Sequence, residues 1–132
     1  MIEGLFNQPS YLAAKKTLDA VAVRQEAIAN NIANLETPGY KRIDLAPAFR
    51  TELDRACASG DAQQIAALKP TLAQDTTAVA NSRDGNTVSL ENEMMQLSQN
   101  AMTHTLETQM VSSFAGTLGD SKFTPIPEEV LP

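Results

Sequence analysis

Between Tyr11 and Leu35, apolar or small residues recur at Tyr11, Ala14, Leu18, Val21, Ile28, Ile32 and Leu35, spaced by threes and fours, with Gln25 interrupting. A stripe with that spacing is the side of a helix that lies along another helix, so this chain must supply or find a second long helix. The stripe then meets a stop. Pro38 lacks a backbone donor and holds Thr37 out of the helical region, and Gly39 supplies a positive φ, so Thr37-Pro38-Gly39-Tyr40 reads as a tight turn of type II. With Ser10 as N-cap, the helix predicted up to Leu35 is about 39 Å long.

The second helix is announced by the turn Asp84-Gly85-Asn86. Ser89 can cap it, Glu91 and Glu93 suit the positive end of its dipole, and its pattern runs to Leu118 before Gly119. Leu90, Met94, Leu97, Ala101, His104, Thr108, Val111, Ala115 and Leu118 keep a heptad spacing, and a second stripe of Met95, Met102, Leu106, Met110 and Phe114 lies beside it. At about 43 Å this helix matches the first, and the two are expected to pair as an antiparallel coiled coil. One partner helix covers one seam only. The remaining apolar face, where each large side chain is worth ~1.5–3 kcal/mol when fully buried, is left for other chains, so assembly is expected to complete the core.

The rest of the chain is weaker in pattern. Residues 1–9 read as a loosely ordered leader carrying Leu5 and Phe6, and residues 42–88 as a loop-rich middle with short helices. Phe49, Leu53 and Ala56 have helical spacing, Gly60 and Asp61 break it, and Ala62 to Leu68 can form one or two further turns before Pro70. After Gly119 the tail 120–132, with Pro125, Pro127 and Pro132, is expected to be extended. The fold class is therefore all-α, built on helices in 10–41 and 89–119.

Composition excludes several functions. Ten basic against sixteen acidic side chains give a net charge of −6, and Lys15-Lys16 and Lys41-Arg42 are the densest positive spots, which argues against nucleic acid as a partner. No stretch approaches the ~20 apolar residues of a membrane span. A cleavable secretory signal is not expected either, since Met1 is followed by neither a basic segment nor a sustained apolar run. His104 sits on a helical stripe without a second ligand at metal spacing, and Cys57 has no base beside it. Asp84-Gly85 with Glu91 imitates the back half of a calcium loop, but Ala80 and Ser82 fall where its first ligands belong. No catalytic residue, cofactor, metal site or small-molecule substrate is expected.

Three asparagines, Asn30, Asn31 and Asn34, stand near the end of the first helix. Two readings stand: a fraying end whose carbonyls the amides help to satisfy, or a polar patch that hydrogen-bonds a neighbouring subunit. Here the residues carry a resemblance. The run ANNIANLETPGYK, from Ala29 to Lys41, resembles the N-terminal signature of the flagellar rod, hook and hook-associated proteins, matching at Ala29 to Asn34 and Thr37 to Lys41. The second block, DGNTVSLENEMMQLSQNA from Asp84 to Ala101, is similar to the C-terminal segment of a proximal-rod branch of the flagellar basal-body rod family. The matching positions there are Asp84, Gly85, Asn86, Val88, Leu90, Glu91, Glu93, Met94, Leu97 and Asn100. The tail past the C-terminal helix departs from that pattern.

The resemblance implies a bacterial structural subunit, exported by the flagellar type III apparatus without a cleaved signal, that polymerises into a helical tube in the periplasm and transmits torque. Its partners would be other copies of itself, other rod subunits, the export gate and the basal-body base. Contacts between subunits would then fall on Tyr11, Leu18, Val21, Ile28, Ile32 and Leu35, on Asn30, Asn31 and Asn34, and on Thr37, Pro38, Gly39 and Tyr40. On the second helix they would fall on Leu90, Met94, Leu97, Asn100, Met102, Leu106, Met110, Val111 and Phe114. A soluble helical adaptor or export chaperone that binds one partner reversibly is the competing reading.

Overall fold

A computed structural model describes residues 8–80 and 83–123, with side chains through Gly116. The order is α1 (Pro9–Ala33), β1 (Ile43–Leu45), α2 (Pro47–Ser59), α3 (Ala62–Ala67), β2 (Leu72–Gln74) and α4 (Leu90–Phe123). The chain is mostly helical, with two long helices near its ends. It is not all-α, because β1 and β2 pair antiparallel with Asp44 opposite Ala73. Three residues per strand are too few for an alternating pattern to stand out from its surroundings.

α1 starts at Pro9, and Ser10 lies inside it rather than capping it. Proline suits that place because the first N–H groups of a helix have no intrahelical partner to lose. The helix ends at Ala33 with Asn34 as C-cap, and Tyr40 N–H donates to Thr37 O at 3.2 Å across a turn whose third residue, Gly39, has φ +72°. That is the expected turn.

α4 corrects the reading more strongly. It runs through Gly119 to Phe123, so the first residues of the expected extended tail are helical. A glycine inside a helix costs only about 1 kcal/mol against alanine and does not by itself end one, whereas Pro125 would. The two long helices are therefore unequal, at about 38 and about 51 Å by their residue counts. Leu5 and Phe6 of the leader and residues 124–132 of the tail lie outside the described residues.

The helices run antiparallel, as their cross-contacts step in opposite senses. Asn31 meets Glu93, Arg24 meets Gln96, Asn100 meets Val21 and Gln25, and the Tyr11 and Phe114 rings meet edge to face at 5.5 Å. The buried apolar cluster lies beside this contact, where Ala20 packs with Phe49, Leu53 and Ala56 of α2 and Ile65 of α3, and a groove separates it from Thr103, Leu106 and Glu107 of α4. Gly60, at φ +68°, ends α2, and Asp61 accepts from Gln63 N–H to start α3. The middle region thus supplies a core of its own.

Candidate assembly interface

The surface of α4 toward α1 is polar at its most buried positions and mixed around them. Glu93 and Asn100 are its buried residues among those described, and Gln96, Leu97, Thr103, Glu107, Val111 and Phe114 are half-buried beside them. Of the expected apolar stripes, Leu97, Val111 and Phe114 face α1, and the other large members lie on the flanks. Leu90 and Met94 are open on one side, and Met95, Met102, Leu106 and Met110 on the other, with Met102 66% and Leu106 60% exposed. His104 is also exposed. Each large apolar side chain left in water forgoes ~1.5–3 kcal/mol that full burial would contribute. A helix with apolar residues on two flanks and polar ones inward is built to be covered from both sides.

Polar residues hold this arrangement. Asn31, fully buried, uses every hydrogen-bonding position of its amide. Its Nδ2 donates to Ile43 O at 2.8 Å and to Glu93 Oε2 at 3.2 Å, while its Oδ1 accepts from Ile43 N–H at 2.9 Å and Tyr40 Oη–H at 3.1 Å. Arg42 reaches the other oxygen of Glu93 through Nε at 2.8 Å, and also meets Asp44 and Asp75. Arg24 joins Asp44 at 3.1 Å and touches Gln96. Burial alone would lower the Arg42 pKa, but the hydrogen bonds it donates to Glu93 and Asp75, and the charges of Glu93 and Asp44, outweigh it and raise it. Burial, and then the nearby Glu93 carboxylate, raise the Tyr40 pKa, which keeps its hydroxyl a donor.

The two motifs of the sequence meet here. Asn86 Nδ2 lies 2.8–3.0 Å from the carbonyls of Asn34, Leu35 and Thr37, so an asparagine from the second block satisfies the end of α1. Asn86 is itself braced by its Oδ1, which accepts from Val88 N–H, and by its N–H, which donates to Asp84. Thr87 exchanges bonds with both Tyr40 and Arg42, and Lys41 donates to Gly85 O at 2.7 Å. No buried side-chain nitrogen or oxygen among the described residues lacks a partner.

The structure therefore divides the predicted contact residues. Tyr11, Val21, Ile28, Asn31 and Asn100 are buried within the chain, and Ile32, Leu35 and Tyr40 are half-buried. Asn34 Nδ2 turns back to Asn30 O, and Thr37 Oγ1 donates to Asn34 Oδ1. Asn30 and the outer side of Thr37, Pro38 and Gly39 face solvent, as do the flanks of α4. Of the two readings of the asparagines, the first describes Asn34 better, while Asn31 serves a role neither anticipated. Arg24, Arg42, Asp44, Asp75, Asn86 and Glu93 were not among the expected site residues. The signal that could have found them is a pair of amphipathic-face polar residues seven apart, Glu93 and Asn100, set between two apolar stripes.

Among the described residues, no group of three or more His, Cys, Asp or Glu side chains is placed to hold a metal ion, and no helix is long and apolar enough to cross a membrane. Cys57 is half-buried against the α2 core, and Ser82 of the rejected calcium loop lies outside the described residues.

Residues 12–41 match the family described as flagella basal body rod protein. The chain is 31% identical to the flagellar basal body rod protein FlgB of Borrelia hermsii, across 74% of this chain and 83% of that relative. It is 32% identical to FlgB of Escherichia coli strain K12, across 74% of this chain and 81% of the relative.

Proposed function

The chain belongs to the flagellar basal body rod protein family, with FlgB proteins as its relatives, and from that membership we propose that it enters the rod by packing both flanks of α4 against neighbouring subunits. It is a structural subunit of the flagellar basal body rod. The observation that carries the mode of assembly is the inversion of α4, with Glu93 and Asn100 buried while Met102 and Leu106 stand in solvent. Two different flanks favour contacts in which one side of a subunit meets the opposite side of the next. Contacts of that kind generate helical filaments when the rotation does not close.

In this reading the subunit sits in the proximal rod, forms part of a helical tube spanning the periplasm and passes torque through packed helices, with α1 and α4 continuing as a coiled coil. It is carried there by the flagellar type III apparatus without a cleaved signal, meeting the export gate and the basal-body base. Leu18, Leu90, Met94, Met95, Met102, Leu106 and Met110, with the outer side of the Thr37 to Gly39 turn, make the contacts between subunits. The reading assigns no catalytic step and no cofactor. Antibody to this chain is expected to label isolated hook–basal-body complexes at the rod. A discrete cytoplasmic dimer absent from those complexes would overturn the assignment in favour of an adaptor.

A further inference from the structure

α4 outruns α1. Phe114 meets Tyr11 near the start of α1, and α4 continues from there to Phe123, an overhang of about 14 Å. Beside the paired helices, Leu18, Val21 and Ala22 of α1 and Ala101, His104 and Thr105 of α4 border an open groove of about 580 Å³. Its near end, at Leu18, lies about 10 Å past Tyr11 along α1. Lys15 stands between the two, on the same side of the helix as Leu18. It is exposed, and its Nζ leans back over the Tyr11 ring, 5.7 Å from the centroid, toward the overhang. Lys16 meets Asp19 at 4.0 Å, whereas no carboxylate among the described residues pairs with Lys15.

After Phe123 the sequence reads Thr124-Pro125-Ile126-Pro127-Glu128-Glu129-Val130-Leu131-Pro132. Pro125 cannot continue a helix, and prolines at 125 and 127 favour an extended run of about 3.1 Å per residue. At that rise Glu128 and Glu129 come about 16–19 Å from Phe123, and Leu131 about 25 Å. Measured back along the helices from Phe123, Tyr11 with the Lys15 Nζ above it lies at about 14 Å and Leu18 at about 24 Å. We propose that residues 124–132 double back along the valley between α1 and α4 of their own chain. Glu128 and Glu129 then meet Lys15, and Val130 and Leu131 lie against Leu18 at the near end of the groove. An exposed ion pair alone contributes little, so the charges set the direction and register of the tail, and burial of its two apolar residues holds it. The contact belongs to the assembled subunit, where α1 and α4 lie together, and so rests on the rod reading; it asks nothing of the free chain. Neighbouring subunits are left the two flanks of α4, not this end of the groove.

The experiment is zero-length carbodiimide coupling of purified hook–basal-body complexes carrying the natural chain, followed by mass spectrometry of the monomer-sized band. A peptide joining Lys15 to Glu128 or Glu129 is expected, and Lys15→Gln should abolish it. Lys16 and Asp19, 4.0 Å apart, serve as the internal positive control. The apolar contact is read in a Leu18→Cys, Leu131→Cys chain with Cys57→Ser, whose oxidised form should migrate faster than the reduced one as a loop closed within one chain. If that variant does not enter the rod, coupling of the natural chain decides alone. A link to Lys15 of a second copy, a link to another rod protein, or no link where Lys16 and Asp19 couple would overturn the fold-back while leaving the rod reading intact. Absence of the natural chain from the complexes would overturn both.

Discussion

Asn86 is a single side chain holding the carbonyl end of a helix about fifty residues earlier in the chain. Replacing it by alanine removes the side-chain donor shared by the part-buried carbonyls of Asn34, Leu35 and Thr37, and a loss of about 1 kcal/mol is expected in urea unfolding. Glu93 is more consequential, because its removal strands a mostly buried Arg42 as well as Asn31. Glu93→Ala should cost about 3–5 kcal/mol by the same measurement. Asp75 gives the junction a pH dependence. A hydrogen bond from the Thr77 hydroxyl, and then the Arg42 guanidinium, hold its pKa below the ordinary 3.8 against the opposing effect of burial. Its folded pKa is thus depressed, so its contribution is present above that ordinary value and fades as pH falls through the folded one. Asp75→Asn should lose less stability than the natural chain on acidification below about pH 4, as read by thermal melting. None of these partnerships was legible beforehand. Asn31 and Glu93 are 62 residues apart, and a buried carboxylate on a helix looks like surface until its arginine is placed.

At the scale of elements the sequence was more informative. The stop at Thr37 to Tyr40, the α1 stripe, the break at Gly60 and Asp61, and the start of α4 near Ser89 all follow from local chemistry, namely missing donors, positive φ and short polar caps. Which side of α4 would face α1 did not follow. Reading an apolar stripe as the inward face assumes that the nearest cover lies in the same chain, and Leu90, Met94 and Met102 break that assumption. α4 continues past Gly119 because a single glycine weakens a helix without ending it. Gly116, inside the same helix, has open space where a Cβ would sit, with no atom within 4 Å. Gly116→Ala should therefore raise stability, by up to about 1 kcal/mol in thermal or urea unfolding.

For the whole molecule, the division of labour is spatial. Ala20, Phe49, Leu53, Ala56 and Ile65 hold one side of α1, the Asn31, Arg42 and Glu93 junction clamps the turn and the middle to both long helices, and the flanks of α4 remain open. Folding and assembly thus draw on different residues, so mutation should separate them. Ile28 is 1% exposed, and a charge there should unfold the subunit before assembly is tested. The flank offers the cleaner case. The double substitution Met102→Asp, Leu106→Asp should leave the monomer's helicity and melting point close to natural, while the protein disappears from purified basal bodies and the cells stop swimming. A folded double variant that still enters the rod and supports normal swimming would contradict the assignment of this surface to assembly.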